Sequence, residues 1–156
     1  MNYTADVFKQ FDRDWALVTA GTMESHNGMT ISWGGMGTIW NKPVVTVYVR
    51  PQRYTREFME REEFFTVSFY DDQYRKALEI MGTKSGRDCD KEAEAGLTAV
   101  PAGESVTFKE AKCTLLCRKL YYQDLDPAGM DQRVQDVQYP GKDFHRMYIG
   151  EVLEIH

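Results

Sequence analysis

Two neighbouring stretches carry residue types able to hold a flat, phosphorylated ligand. Asn27 to Trp40 contains four glycines, two tryptophans and small hydroxyl residues, and Thr46 to Thr55 adds Arg50, Arg53, Tyr54 and Thr55. If 28–34 is extended, Met29, Ile31 and Trp33 share one face while Thr30, Ser32 and the glycines share the other. The cluster Gly34, Gly35 and Gly37 then breaks the strand and lets backbone approach a planar group, with free amides as donors. A helix starting near Arg53 turns unpaired N–H groups and a positive dipole end toward a phosphate, with Arg50 or Arg53 as bidentate partner. A third stretch, Thr83 to Lys91, offers hydroxyls, Gly86, Arg87 and Lys91 to an anion or a ring edge. It also reads as an ordinary capped, solvated loop.

Other chemistry is poorly served. There is no Gly-x-Ser-x-Gly and no signal that sets a histidine beside a serine or cysteine. His-Glu-x-x-His spacing is absent, so no metal site is expected. Three cysteines make no disulfide framework. On one strand Cys113 and Cys117 would lie about 13 Å apart, beyond the roughly 7 Å that a disulfide spans between Cα atoms. They read as buried thiols. An enzyme built from these residues takes its reaction from a cofactor.

The elements that must position these side chains are mostly strands. Alternation or β-branched and aromatic content marks 15–20, 28–34, 43–50, 63–70, 108–124 and 147–155 as extended. Val45, Val47 and Val49 form one face of the third, opposite Thr46, Tyr48 and Arg50. Short helices are expected over 53–61, over 73–81 (capped by Asp71 or Asp72 and ended by Gly82), and over 90–95, closed by Gly96. Residues 96–105 read as a connecting loop, 126–129 and 140–141 as turns, and 130–139 has no clear pattern. No Gly-x-Gly-x-x-Gly follows a strand, which excludes a dinucleotide-binding α/β fold. Periodicity alone assigns Trp33 and Trp40 to the core, and Arg53 and Arg56 to a solvated helix face beside Glu57 and Glu60.

A chain of 156 residues suits one domain, 1–156, folding of which buries about 68–70% of the extended-chain surface. Hydrophobic residues at 42% exclude a disordered chain, and a net charge of −5 argues against a nucleic-acid partner. No apolar run approaches the roughly 20 residues of a membrane span, and the N-terminus lacks the basic start and apolar segment of a signal peptide. The expected location is cytoplasmic. Leu120, Tyr121 and Tyr122 are apolar on both strand faces, which calls for a second cover such as a dimer partner.

Asn27-Gly-Met-Thr-Ile-Ser-Trp33, Arg50-Pro-Gln-Arg-Tyr-Thr55, Ser85-Gly-Arg-Asp-Cys-Asp-Lys91 and His145-Arg-Met-Tyr-Ile-Gly-Glu-Val152 together resemble the flavin reductase-like family, which includes flavoredoxins. The resemblance runs from about Trp15 to Val152. It implies a mainly β chain with short helices, an FMN-binding split β-barrel of Greek-key type, and a homodimer. The implied activity is an oxidoreductase passing reducing equivalents from NADH, NADPH or a protein donor to flavin, another acceptor or an electron-transfer protein. A non-catalytic flavin-binding or electron-carrier protein is the alternative. By the same resemblance Asn27, Met29, Thr30, Ile31, Ser32 and Trp33 lie along the ring and ribityl chain. Arg50, Arg53, Tyr54 and Thr55 hold the phosphate, and Ser85, Gly86, Arg87 and Lys91 the remaining edge. His145 is the candidate for a proton-donating or nicotinamide-contacting role, against an ordinary structural histidine. One departure stands out: Glu92 occupies the position after Lys91 where the family often has an aromatic residue, which would loosen packing under that loop.

Overall fold

A computed structural model describes all residues, 1–156. Seven strands form one antiparallel sheet: β1 (Ala16–Gly21), β2 (His26–Ile31), β3 (Gly34–Ile39), β4 (Lys42–Val49), β5 (Phe64–Phe69), and, after a two-stranded hairpin, β8 (Cys113–Asp124) and β9 (Arg146–Ile155). Their order is β2-β1-β5-β8-β9-β4-β3, so β2 and β3 are the two free edges and the sheet does not close. Only Ser32 and Trp33 separate these edges in sequence, and the chain crosses the gap there. The free edge of β2 leaves main-chain donors and acceptors without a strand partner, in the region where a ligand was expected.

Alternation in β4 is realised as expected, with Val45, Val47 and Val49 fully buried. They join Val18, Ile31, Phe65, Val67, Phe69, Leu115 and Tyr148 in the main core, closed by Phe11 of helix α1 (Val7–Asp12) and by Phe58 and Met59 of α2 (Thr55–Arg61). Strand β1 is buried along its whole length because its other face meets a second cluster, Leu17, Tyr70, Leu78, Met81 and Phe108, under α3 (Arg75–Thr83). No helix is long and apolar enough to cross a membrane.

Several local expectations are corrected. Gly34, Gly35 and Gly37 do not break a strand: they form β3, paired to β4 from Gly34↔Val47 to Ile39↔Lys42. The close approach they permit is made by the protein itself, since a Cβ on Gly34 would lie 2.5 Å from the Phe11 ring. Trp40 is not core. It sits at φ 52 beside Asn41 at φ 58 in the β3–β4 turn, 52% exposed. Gly82 does not end α3 but lies within it, against Thr30. A 3-10 turn, Asp72–Tyr74, precedes α3, and neither Asp71 nor Tyr74 caps by side chain. The loop expected over 96–105 contains the hairpin β6 (Ala99–Ala102) and β7 (Ser105–Phe108), turning at Gly103. Residue 108 ends that hairpin, so β8 begins only at Cys113. The patternless segment 130–139 contains α5 (Gln132–Gln138), which buries none of its residues. By contrast α4 (Lys91–Ala95) has the expected boundaries: Asp90 accepts from the Ala93 N–H, and Gly96 stops the helix at φ 73.

Candidate functional site

Between β2, the Ser32–Trp33 link and the end of β4 opens a cleft of about 190 Å³, lined by Met29, Thr30, Ile31, Ser32, Trp33, Tyr48, Arg50, Arg53 and His145. Strand β2 supplies Met29 and Ile31, which are themselves anchored in the core, and the Ser32–Trp33 link supplies a flat wall. Trp33 is 39% exposed, because the change of direction after Ile31 ends the alternation that would have turned it inward. Its ring lies 4.8 Å from the His145 ring. The Thr30 hydroxyl donates to the Leu78 carbonyl, which ties this wall to α3.

A second, smaller cleft of about 100 Å³ adjoins the first through Arg53. Asn27, Gln52, Arg53, Tyr54, Thr55, Thr83, Lys84, Ser85 and Lys91 line it: three cations, several hydroxyls and no carboxylate. Lys91 is only 3% exposed, and its ammonium donates to the carbonyls of Met81 at 3.0 Å and Lys84 at 3.2 Å. Arg53 donates to the Gly82 carbonyl at 2.9 Å. The C-terminal turn of α3 therefore orients two cations with its otherwise unpaired carbonyls. Burial lowers the Lys91 pKa to about 8, assisted by the neighbouring Arg53 charge, and burial lowers that of Arg53. Buried Lys91 and half-buried Arg53 are thus like charges held by carbonyls, with no carboxylate in the cleft, an arrangement able to receive an anion. Asn27 completes the floor, its amide donating to the Thr55 hydroxyl at 2.7 Å.

The two arginines of the second motif go to different places. A turn closes from the Arg53 N–H to the Arg50 carbonyl, 3.2 Å, and separates their side chains. Arg50 is paired with the Asp143 carboxylate at 2.9 Å, donates to the Gln138 carbonyl at 3.3 Å and lies over the Tyr139 ring at 5.1 Å. It lines the first cleft only, whereas Thr55, Ser85 and Lys91 line the second. Gly86 lies behind the second cleft; a Cβ there would meet the Asn27 amide oxygen at 2.1 Å. Arg87 lines neither cleft: it covers the outer face of Tyr54 at 4.7 Å and pairs with Glu57 at 3.4 Å.

His145 is buried, and its Nδ1 lies 2.7 Å from the Tyr139 hydroxyl. Burial, reinforced by the Arg50 charge, lowers its pKa to about 4, so the ring is neutral near pH 7. Sequence reasoning missed Tyr139, which comes from the segment without periodicity, Asp143 beyond the turn at 140–141, and also Gln52 and Lys84. Tyr48 was legible, since it shares the polar face of β4 with Arg50. Cys117 is a buried thiol; Cys89 and Cys113 are half-buried and free. No group of three or more His, Cys, Asp or Glu residues is gathered as metal ligands.

With this geometry in hand, the chain was compared with known proteins. Residues 8–156 match the family model described as flavin reductase like domain. Among solved structures, flavoredoxin from Methanosarcina acetivorans superposes with a TM-score of 0.74 at 20% identity, covering 100% of this chain and 74% of that one. An FMN-binding protein from Thermus thermophilus, solved with 1-cyclohex-2-enone, gives 0.73 at 18% identity, covering 100% and 79%. Nitrilotriacetate monooxygenase component B from Bacillus cereus gives 0.71 at 21% identity, covering 91% and 68%. No curated protein matches by sequence. The neighbours share the split-barrel architecture described above, and the family model spans nearly the whole chain. The chain belongs to the flavin reductase-like family.

Proposed function

We propose that the chain is an FMN-dependent oxidoreductase of the flavin reductase or flavoredoxin type, accepting reducing equivalents from NADH, NADPH or a protein donor. One observation carries the reading: a cleft with a flat aromatic wall joins, through the single side chain of Arg53, a small cleft lined by cations and hydroxyls with no carboxylate. That pairing fits a ring system ending in a phosphate. Bound FMN supplies hydride and electron transfer through its isoalloxazine ring. The chain's own residues bind and orient. Met29, Ile31 and Trp33 offer apolar contact, the free edge of β2 offers backbone groups, and Arg53, Lys91, Thr55 and Ser85 offer charge and hydrogen bonds to the phosphate. Arg50, held by Asp143, contributes positive potential beside the ring rather than a phosphate contact.

An absorbance spectrum of the purified protein, with and without added FMN, tests this reading. A flavin band that persists through gel filtration is expected, and protein that remains colourless after reconstitution would overturn it. The second reading, a non-catalytic carrier, is favoured by one feature: His145, the only histidine in the first cleft, is neutral near pH 7 and supplies no ready proton. Stopped-flow reduction separates the two, since a carrier is not reduced by NADH or NADPH at a useful rate. A homodimer is part of the proposal, supported by the exposed aromatic surface of Trp40, Tyr121 and Tyr122.

A further inference from the structure

His26 opens β2, and its ring stands between two acceptors. Nδ1 lies 2.8 Å from the Thr22 carbonyl oxygen, and Nε2 lies 2.6 Å from the Glu92 carboxylate. A carbonyl and an ionised carboxylate can only accept, so the arrangement requires a proton on both ring nitrogens. His26 is therefore an imidazolium paired with Glu92, shielded on one side by the Phe108 ring at 6.5 Å. The residues next in sequence to this pair, Asn27 and Lys91, both line the small cationic cleft. Helix α4 has only five residues, and Lys91 is the one it buries. Polar contacts hold it: Asp90 to the Ala93 N–H, Lys84 to Glu94, Lys91 to the α3 carbonyls, and Glu92 to His26.

We infer that the His26–Glu92 pair is a positioning pair for the cationic cleft: it docks α4 on β2, holds Lys91 in place, and thereby makes phosphate affinity depend on the protonation of His26. The inference rests on the FMN reading above and deepens it. The titratable groups around the hollow beside His26 are Glu24, Tyr54, Cys89, Asp90, Lys91 and Glu92. The hydrogen bond His26 donates to Glu92 raises the His26 pKa above its ordinary 6.5, against burial. A raised folded-state value means the clamp is complete below pH 6.5 and is lost as pH rises through the raised value. A phosphomonoester has taken up most of its second negative charge by then, with a pKa of about 6, and Lys91 gives up its proton near 8.

Titrations of FMN and of riboflavin, which lacks the phosphate, into the full chain from pH 6 to 9 test the pair. Wild-type protein is compared with His26→Gln and, as an independent route, Glu92→Gln. Wild-type FMN affinity is expected to fall as pH rises through two titrations, one of His26 and one of Lys91. Both variants should bind FMN about fivefold more weakly at pH 6.5, the scale of a partly exposed ion pair, and should lack the His26 limb. Riboflavin affinity should not change. Variants that keep the wild-type FMN profile, or that lose FMN and riboflavin affinity equally, overturn the inference. Wild-type protein that binds riboflavin and FMN alike, or neither, overturns the phosphate reading on which it rests.

Discussion

Arg50 and Arg53 are three residues apart and have different partners. Arg50 is engaged by Asp143 and the Gln138 carbonyl, whereas Arg53 shares the cationic cleft with Lys91. Arg53→Ala should therefore weaken FMN binding by about 1.5–3 kcal/mol, the range for a hydrogen bond to a charged group, with riboflavin unaffected. Calorimetric titration measures it, and equal loss for both ligands would remove Arg53 from the phosphate site. The sequence marked both arginines as phosphate candidates but could not separate them, because the turn at 51–52 and the carboxylate of Asp143 divide their roles. For His145 the sign follows from its lowered pKa. Between pH 6.5 and about 4 the unfolded chain takes up a proton that the folded one resists, so stability falls as pH drops through that window. Urea denaturation at pH 7, 5.5 and 4.5 should give this slope, and His145→Gln should flatten it.

At the scale of elements, the sequence was most informative where local pattern and tertiary environment agree. Val45, Val47 and Val49 alternate and are all buried, and Asp90 and Gly96 bound α4 by capping chemistry that needs no distant partner. It was least informative where an element exists because of another. Gly34 to Gly37 have no strand preference of their own; β4 alongside and Phe11 across Gly34 make them a strand. Pro101 argued against the hairpin β6–β7, which it joins as part of a two-stranded sheet. Helix α5 buries nothing, so it left no apolar period to read. The same dependence yields a test. Gly34→Ala puts a methyl where the Phe11 ring now lies and should loosen α1, at a cost of about 1–3 kcal/mol for overpacking. Hydrogen exchange over 7–12 should rise with little change in β5 or β8. Unchanged protection would show that Phe11 does not clamp this helix.

The molecule as a whole is an unclosed sheet, and the candidate site lies beside its β2 edge. Its other unusual feature is exposed aromatic surface on both faces of β8: Trp40 packs edge-on to Tyr121 at 6.3 Å, and Tyr122, 55% exposed, lies 6.3 Å from Tyr148. Exposed aromatic surface of this kind commonly meets a partner. Sedimentation of wild-type protein should give twice the chain mass, and Trp40→Asp combined with Tyr122→Asp should give the single mass with the fold intact by circular dichroism. A monomeric wild type would remove the dimer from the proposal.

The ammonium of Lys91 sheds most of its water during folding and is handed to two main-chain oxygens. The dehydration that would otherwise slow the capture of an anion is thus completed before any guest approaches. Loading and unloading can then proceed by exchange of contacts around a fixed cation, without melting the turn that carries it.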